Sequence, residues 1–238
     1  MDEAERWLLR LGGASAVIGS LAAMVGNLVH PVTPAGDPAG VASTIAGSSA
    51  WTGIHLLIVF GIALMLPGLL ALHRTIRGGL AGALSRMGWA MAIVGVAIGL
   101  VLVMLDGVAA KQLADAWAVA PDSEKAAALR DVITNETINF ALAALFNLIF
   151  AAATFLLYGL AVAFSDIYPR WLGWIAVAAG LSSVAAGLIQ AVTGEPTTAS
   201  LVLTIIGPTV ITLWLAVMGV LLYRRSLFRV DADTPSAG

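Results

Sequence analysis

The chain has 238 residues, 60% of them hydrophobic and 11% charged, with a mean hydropathy of +0.95. A soluble domain carries about 25% charged residues, so 12 basic and 14 acidic side chains cannot cover a water-exposed surface of this size. The lack of cysteine excludes disulfides, thiolate metal sites and cysteine nucleophiles, and a net charge of −2 without a basic run offers nothing to nucleic acid.

Six stretches hold no Asp, Glu, Lys or Arg: 11–36, 38–73, 87–105, 137–165, 171–194 and 196–223. An α-helix needs about 20 apolar residues to cross a bilayer, and trimming the polar ends predicts spans near 11–30, 51–73, 87–107, 137–164, 171–193 and 200–223. None of these runs alternates as a barrel strand would. The class is therefore all-α: one polytopic six-helix domain over 1–229, followed by a disordered tail at 230–238.

The first span presents Gly12, Ala16, Gly19, Ala23, Gly26 and His30 on one seam, which turns that seam toward a neighbouring helix. It reads as retained rather than cleaved, because Asp2, Glu3 and Glu5 occupy what would be the n-region of a signal peptide. Asp37 caps a short loop helix that begins at Pro38 and ends at Gly47. The second span carries His55 one turn from its start, and Asp106 closes the third, where Gly95 and Gly99 suit close packing within the chain or between protomers. A second loop helix starts at Pro121-Asp122, with Leu129, Val132 and Ile133 on one face, and is expected to lie in the interface. Glu136 opens the fourth span, with Asn139 and Asn147 below it. The sixth contains Thr204, Gly207 and Pro208, a kink that could break the helix around a substrate.

Basic residues set the orientation. With the N-terminus inside, Arg6, Arg10, Arg74, Arg77, Arg86, Arg170, Arg224, Arg225 and Arg229 are cytoplasmic, against Lys111, Lys125 and Arg130 outside. Both termini are then expected on the cytoplasmic side of a bacterial inner membrane. Arg10-Leu-Gly12 with Gly19, Arg86-Met-Gly88 with Gly95, and Arg170 with Gly173 and Gly180 suggest three related hairpins, although Gly, Ala and Leu recur in any membrane helix.

Several segments stand out: Gly36-Asp37-Pro38 leading into Trp51, Leu66-Pro67-Gly68 into His73-Arg74, Tyr168-Pro169-Arg170-Trp171-Leu172-Gly173-Trp174, and Trp214 through Met218-Gly219 to Tyr223-Arg224-Arg225. Over most of its length the chain resembles a family of six-span bacterial membrane proteins of unknown function, common in actinobacteria. The resemblance implies a fold and a localisation, and no activity.

Ionisable groups in membrane helices need partners. His30, His55, Asp106 and Glu136 should all lie near the outer interface, where two imidazoles and two carboxylates could hold a divalent metal or act as acid and base. The expected convergence is partial: His55 with Asp106 or Glu136, linked through Asn139, and His30 the least certain member. Without a metal, the same residues would hydrogen-bond to loops and water. Haem between His30 and His55 is a further alternative, but three histidines leave no second pair. No nucleotide loop, serine elbow or dinucleotide fingerprint occurs, so no catalytic residue is assigned and no cofactor is expected. The leading reading is a non-enzymatic membrane protein that binds or moves a small apolar or lipid-like ligand. The alternative is a metal-dependent enzyme or a metal or haem protein built on the outer cluster. The lipid bilayer is the expected partner, with the small-residue helix faces available to a second copy or another membrane protein.

Overall fold

A computed structural model describes residues 2–194 and 197–227. It contains nine α-helical segments and no strand among the described residues: α1 (Glu3–Leu28), α2 (Pro38–Gly47), α3 (Trp51–Thr75), α4 (Gly79–Met104), α5 (Ala110–Val119), α6 (Asp122–Phe146), α7 (Phe155–Ala163), α8 (Arg170–Thr193) and α9 (Thr198–Leu227). π-helical turns at Leu105–Ala109 and Asn147–Thr154 join α4 to α5 and α6 to α7 without a break. Six continuous helices are long and apolar enough to cross a membrane: Glu3–Leu28, Trp51–Thr75, Gly79–Val119, Asp122–Ala163, Arg170–Thr193 and Thr198–Leu227. The chain is an all-α, multi-pass integral membrane protein.

The six spans close into a ring in which each packs on its neighbours in sequence, and the sixth returns to the first. Glycine lets backbones meet at the crossings. A Cβ on Gly19 would strike the Gly61 carbonyl and one on Gly61 the Gly19 carbonyl; Gly13 and Gly219 form a second such pair, Gly159 and Gly173 a third. The seam of Gly12, Ala16, Gly19, Ala23 and Gly26 is buried, as its spacing predicts. Gly95 and Gly99 meet Phe150 and Phe146, so that pair is used inside the chain. Gly173 and Gly180 pack on the preceding span, whereas Gly12 and Gly88 pack on the following one. Buried Leu69, Phe155, Tyr158, Leu215 and Met218 belong to the shared core. The Tyr158 hydroxyl donates to the Leu69 carbonyl (2.9 Å), and Trp214 Nε1–H donates to the Leu172 carbonyl (2.8 Å).

Two sequence expectations need correction. The loop helix starting at Asp122 is not a separate interfacial piece, since α6 runs on through the π turn into α7 as a single span. The third span does not end at Asp106 but continues to Val119. Both helices project beyond the apolar runs because Lys111, Asp115, Glu124 and Arg130 are compatible with helix once it has left hydrocarbon. The expected α2 forms as read, with the Asp37 carboxylate accepting from Gly40 N–H (3.0 Å) and Pro38 in the first turn. The expected tail at 230–238 lies outside the described residues.

Candidate metal centre

The site lies at the end of the bundle opposite the start of α1 and the end of α9. His55 sits one turn into α3 and is 2% exposed. Four residues earlier on the same helix, Trp51 is also buried, and its carbonyl lies 2.7 Å from His55 Nδ1. A carbonyl can only accept, so Nδ1 carries the proton and Nε2 points its lone pair into the site. His30 reaches the same point from outside a helix. It precedes Pro31, which disfavours helical backbone in the residue before it, and α1 stops at Leu28. The chain leaves the seam there, and His30 Nδ1 lies 2.8 Å from the Pro31 carbonyl. Its Nε2 is likewise directed inward.

The two Nε2 atoms are 3.1 Å apart. Asp106 Oδ2 lies 3.1 Å from His55 Nε2 and 4.0 Å from His30 Nε2. All three candidate ligand atoms fall within 4.8 Å of one another. Two neutral imidazoles held this way would set lone pair against lone pair beside a carboxylate. A positive charge must relieve that contact, either a shared proton or a metal ion. Burial keeps the His30 imidazole below its ordinary pKa, against the opposing pull of Asp106.

Asp106 owes its position to the π-helical turn Leu105–Ala109, which inserts extra backbone into the third span. Such turns recur at functional sites. Around it, Trp51 Nε1–H donates to the Asp106 carbonyl (2.8 Å) and Thr52 Oγ1–H to the Gly107 carbonyl (3.0 Å). The Trp51 ring lies 4.8 Å from both imidazoles. Above them, Ile45 of α2 packs with Trp51, Ala110 and Ala114, and Lys111 Nζ–H donates to the Ala46 carbonyl (3.0 Å), which fastens the loop helix over the centre.

Of the residues singled out in the sequence, His30, His55 and Asp106 converge, and His30 is a full member rather than the weakest. Glu136 is half-buried on α6 and close enough to Asp106 for the carboxylates to interact electrostatically, but it is not one of the converging three. Asn139 does not link the cluster: its buried Oδ1 has no hydrogen-bond partner, nor has Asn135 Nδ2. Asn147 instead donates to Gln190 Oε1 (2.8 Å), and Gln190 donates to Thr204 Oγ1 (3.2 Å), tying the fourth, fifth and sixth spans together. The sixth span runs as one continuous helix through Pro208, with Thr212 Oγ1–H donating to the Pro208 carbonyl (2.7 Å) and Gly207 against Ser183. Imidazole centroids 4.8 Å apart and edge-on leave no width for a porphyrin between them, so the haem alternative does not fit.

Sequence reasoning missed Trp51, Gly107 and Gln190. Trp51 was discoverable, lying four residues before His55 on one helix face. Gly107 was not, because its need for a bare Cα comes from His55 on another span. No protein-family model, curated protein or solved structure matches the chain.

Proposed function

We propose that this integral membrane protein is a metalloprotein that holds a divalent transition-metal ion through His30 Nε2, His55 Nε2 and Asp106 Oδ2. The observation that carries the proposal is the convergence of these three atoms while both Nδ1 atoms face backbone carbonyls. Zinc–nitrogen bonds of about 2.0–2.1 Å in tetrahedral geometry separate neighbouring ligands by about 3.3 Å, against 3.1 Å for the two Nε2 atoms. Nδ1–H to carbonyl bonding is the outer shell that orients metal-ligating imidazoles. Two imidazoles and one carboxylate suit zinc, with manganese the runner-up. Three protein ligands leave a position for water or a substrate oxygen, the arrangement that supports Lewis-acid chemistry. With the arginine-rich end in the cytoplasm of a bacterial cell, the centre faces outward beneath α2.

The reading as carrier of an apolar ligand has less support, because Thr204 and Thr212 around Pro208 are engaged by another side chain and by backbone. The test is metal analysis of the full chain purified in neutral detergent after exposure to zinc or manganese and removal of excess ion. About one equivalent is expected to remain, with His55→Ala and Asp106→Asn each losing most of it at unchanged helix content. A helical wild-type protein that retains no stoichiometric metal would overturn the proposal.

A further inference from the structure

The opposite end of the molecule carries a second feature unrelated to the metal centre. Where α3 ends and α4 begins, a hollow of about 280 Å³ is lined by His73, Arg74, Ile76, Arg77, Gly82 and Arg86. A neighbouring hollow of about 210 Å³ shares Arg74 and Arg77 and adds Glu5, Leu8, Leu9 and Arg225. Four guanidinium groups and an imidazole therefore line adjoining concavities that hold one carboxylate, Glu5. That carboxylate is taken by Arg77, whose Nε–H also donates to the Arg74 carbonyl (2.7 Å), pinning the connection between the helices. His73 Nδ1 is 3.1 Å from Ser85 Oγ. The guanidinium groups of Arg74, Arg86 and Arg225 have no ion pair or hydrogen bond among the described residues, and these side chains are exposed.

Unpaired guanidinium groups are fork-shaped donors suited to phosphate oxygens. Their depth matters equally, because they lie where the apolar runs of the first, second, third and sixth spans end, at the level of lipid headgroups. The walls are mixed. Ile76, Leu8 and Leu9 line the hollows, and exposed Leu80 and Met87 flank the start of α4 on the surface offered to lipid. A soluble anion would use the guanidinium groups alone, whereas a phospholipid would use them together with the apolar flank. Basic pockets between membrane helices take anionic headgroups in this way.

We infer that the Arg74–Arg77–Arg86 hollow, extended by Arg225, binds the phosphodiester headgroup of an anionic phospholipid. The full chain in neutral detergent is titrated with short-chain phosphatidylglycerol and with phosphatidylcholine of the same chain length, and native mass spectrometry counts bound lipid. Phosphatidylglycerol is expected to bind about tenfold more tightly, the scale of one charge-assisted contact. The double substitution R74Q/R86Q should remove that preference at unchanged helix content. R170Q should keep it, since Arg170 lies at the same end but pairs with Asp166 (3.3 Å) away from the hollow. Survival of the preference in R74Q/R86Q, or its equal loss in R170Q, would overturn the inference. Displacement of the lipid by inorganic phosphate at equal affinity would also overturn it, by reassigning the hollow to a soluble anion. Neither result depends on metal at the far end.

Discussion

At His55 the two ring nitrogens have separate duties, one bonded to the Trp51 carbonyl and the other shared between His30 and Asp106. The ring is held on its remaining sides by Trp51 and by the bare backbone of Gly107, where a Cβ would run into the His55 side chain. Gly107→Ala must therefore push α3 and the third span apart at the centre. It is expected to weaken zinc binding at least as much as Trp51→Phe, which keeps a ring beside the imidazoles and removes only the indole donor to Asp106. Loss of such an outer-shell bond costs about 10–100-fold in metal affinity. Competition for zinc against a chromogenic chelator measures both variants, and wild-type affinity in Trp51→Phe would show that the indole only fills space. The three proposed ligands were legible in the sequence, because a polar group on an apolar helix is conspicuous and depth follows from counting residues. Their ranking was not. His30 reads as part of the α1 seam by period, yet Pro31 takes it off the helix and aims it at His55.

The π turn around Asp106 shows what helical periodicity alone cannot convey. A regular α-helix advances 100° per residue, so one residue more or less upstream would carry a carboxylate away from a target on a neighbouring span. The third span accommodates the difference within Leu105–Ala109, next to Gly107. Removing Val108 should let the turn relax to regular helix, shifting Asp106 and Gly107 relative to the segment beyond them, which carries Ala110 and Ala114 under α2. The expected outcome is a protein that inserts with wild-type helix content and has lost stoichiometric zinc. Circular dichroism with metal analysis on the same sample checks it, and full zinc retention would mean that the turn does not shape the centre. At this scale the spans were readable from charge-free stretches, and α2 from Asp37-Pro38 and Gly47. The continuity of the third and fourth spans beyond the bilayer was not, because polar residues outside hydrocarbon are as compatible with helix as with loop. Gln190 escaped notice for a related reason: its role depends on Asn147 and Thr204 from two other spans.

For the whole molecule, six spans in sequential contact place 2–10, 75–79, 164–170 and 224–227 at one end, and α2, α5 and the start of α6 at the other. The ring alone is indifferent to which end faces the cytoplasm; the proposed orientation rests on charge. Among the described residues the terminal end carries eight arginines: Arg6, Arg10, Arg74, Arg77, Arg86, Arg170, Arg224 and Arg225. The other end carries Lys111, Lys125 and Arg130. Basic residues in short loops are held on the cytoplasmic side during insertion, and the lipid proposal uses the same excess, since arginines on which the proposed orientation rests also line the basic hollows. A reporter active only in the cytoplasm is expected to work when fused after Arg77 or Arg225 and to fail when inserted near Asp122. The opposite pattern at all three sites would invert the molecule and bring the metal centre to the cytoplasmic face. Activity after Arg77 but not after Arg225 would break the even number of crossings between them, and with it the six-span ring.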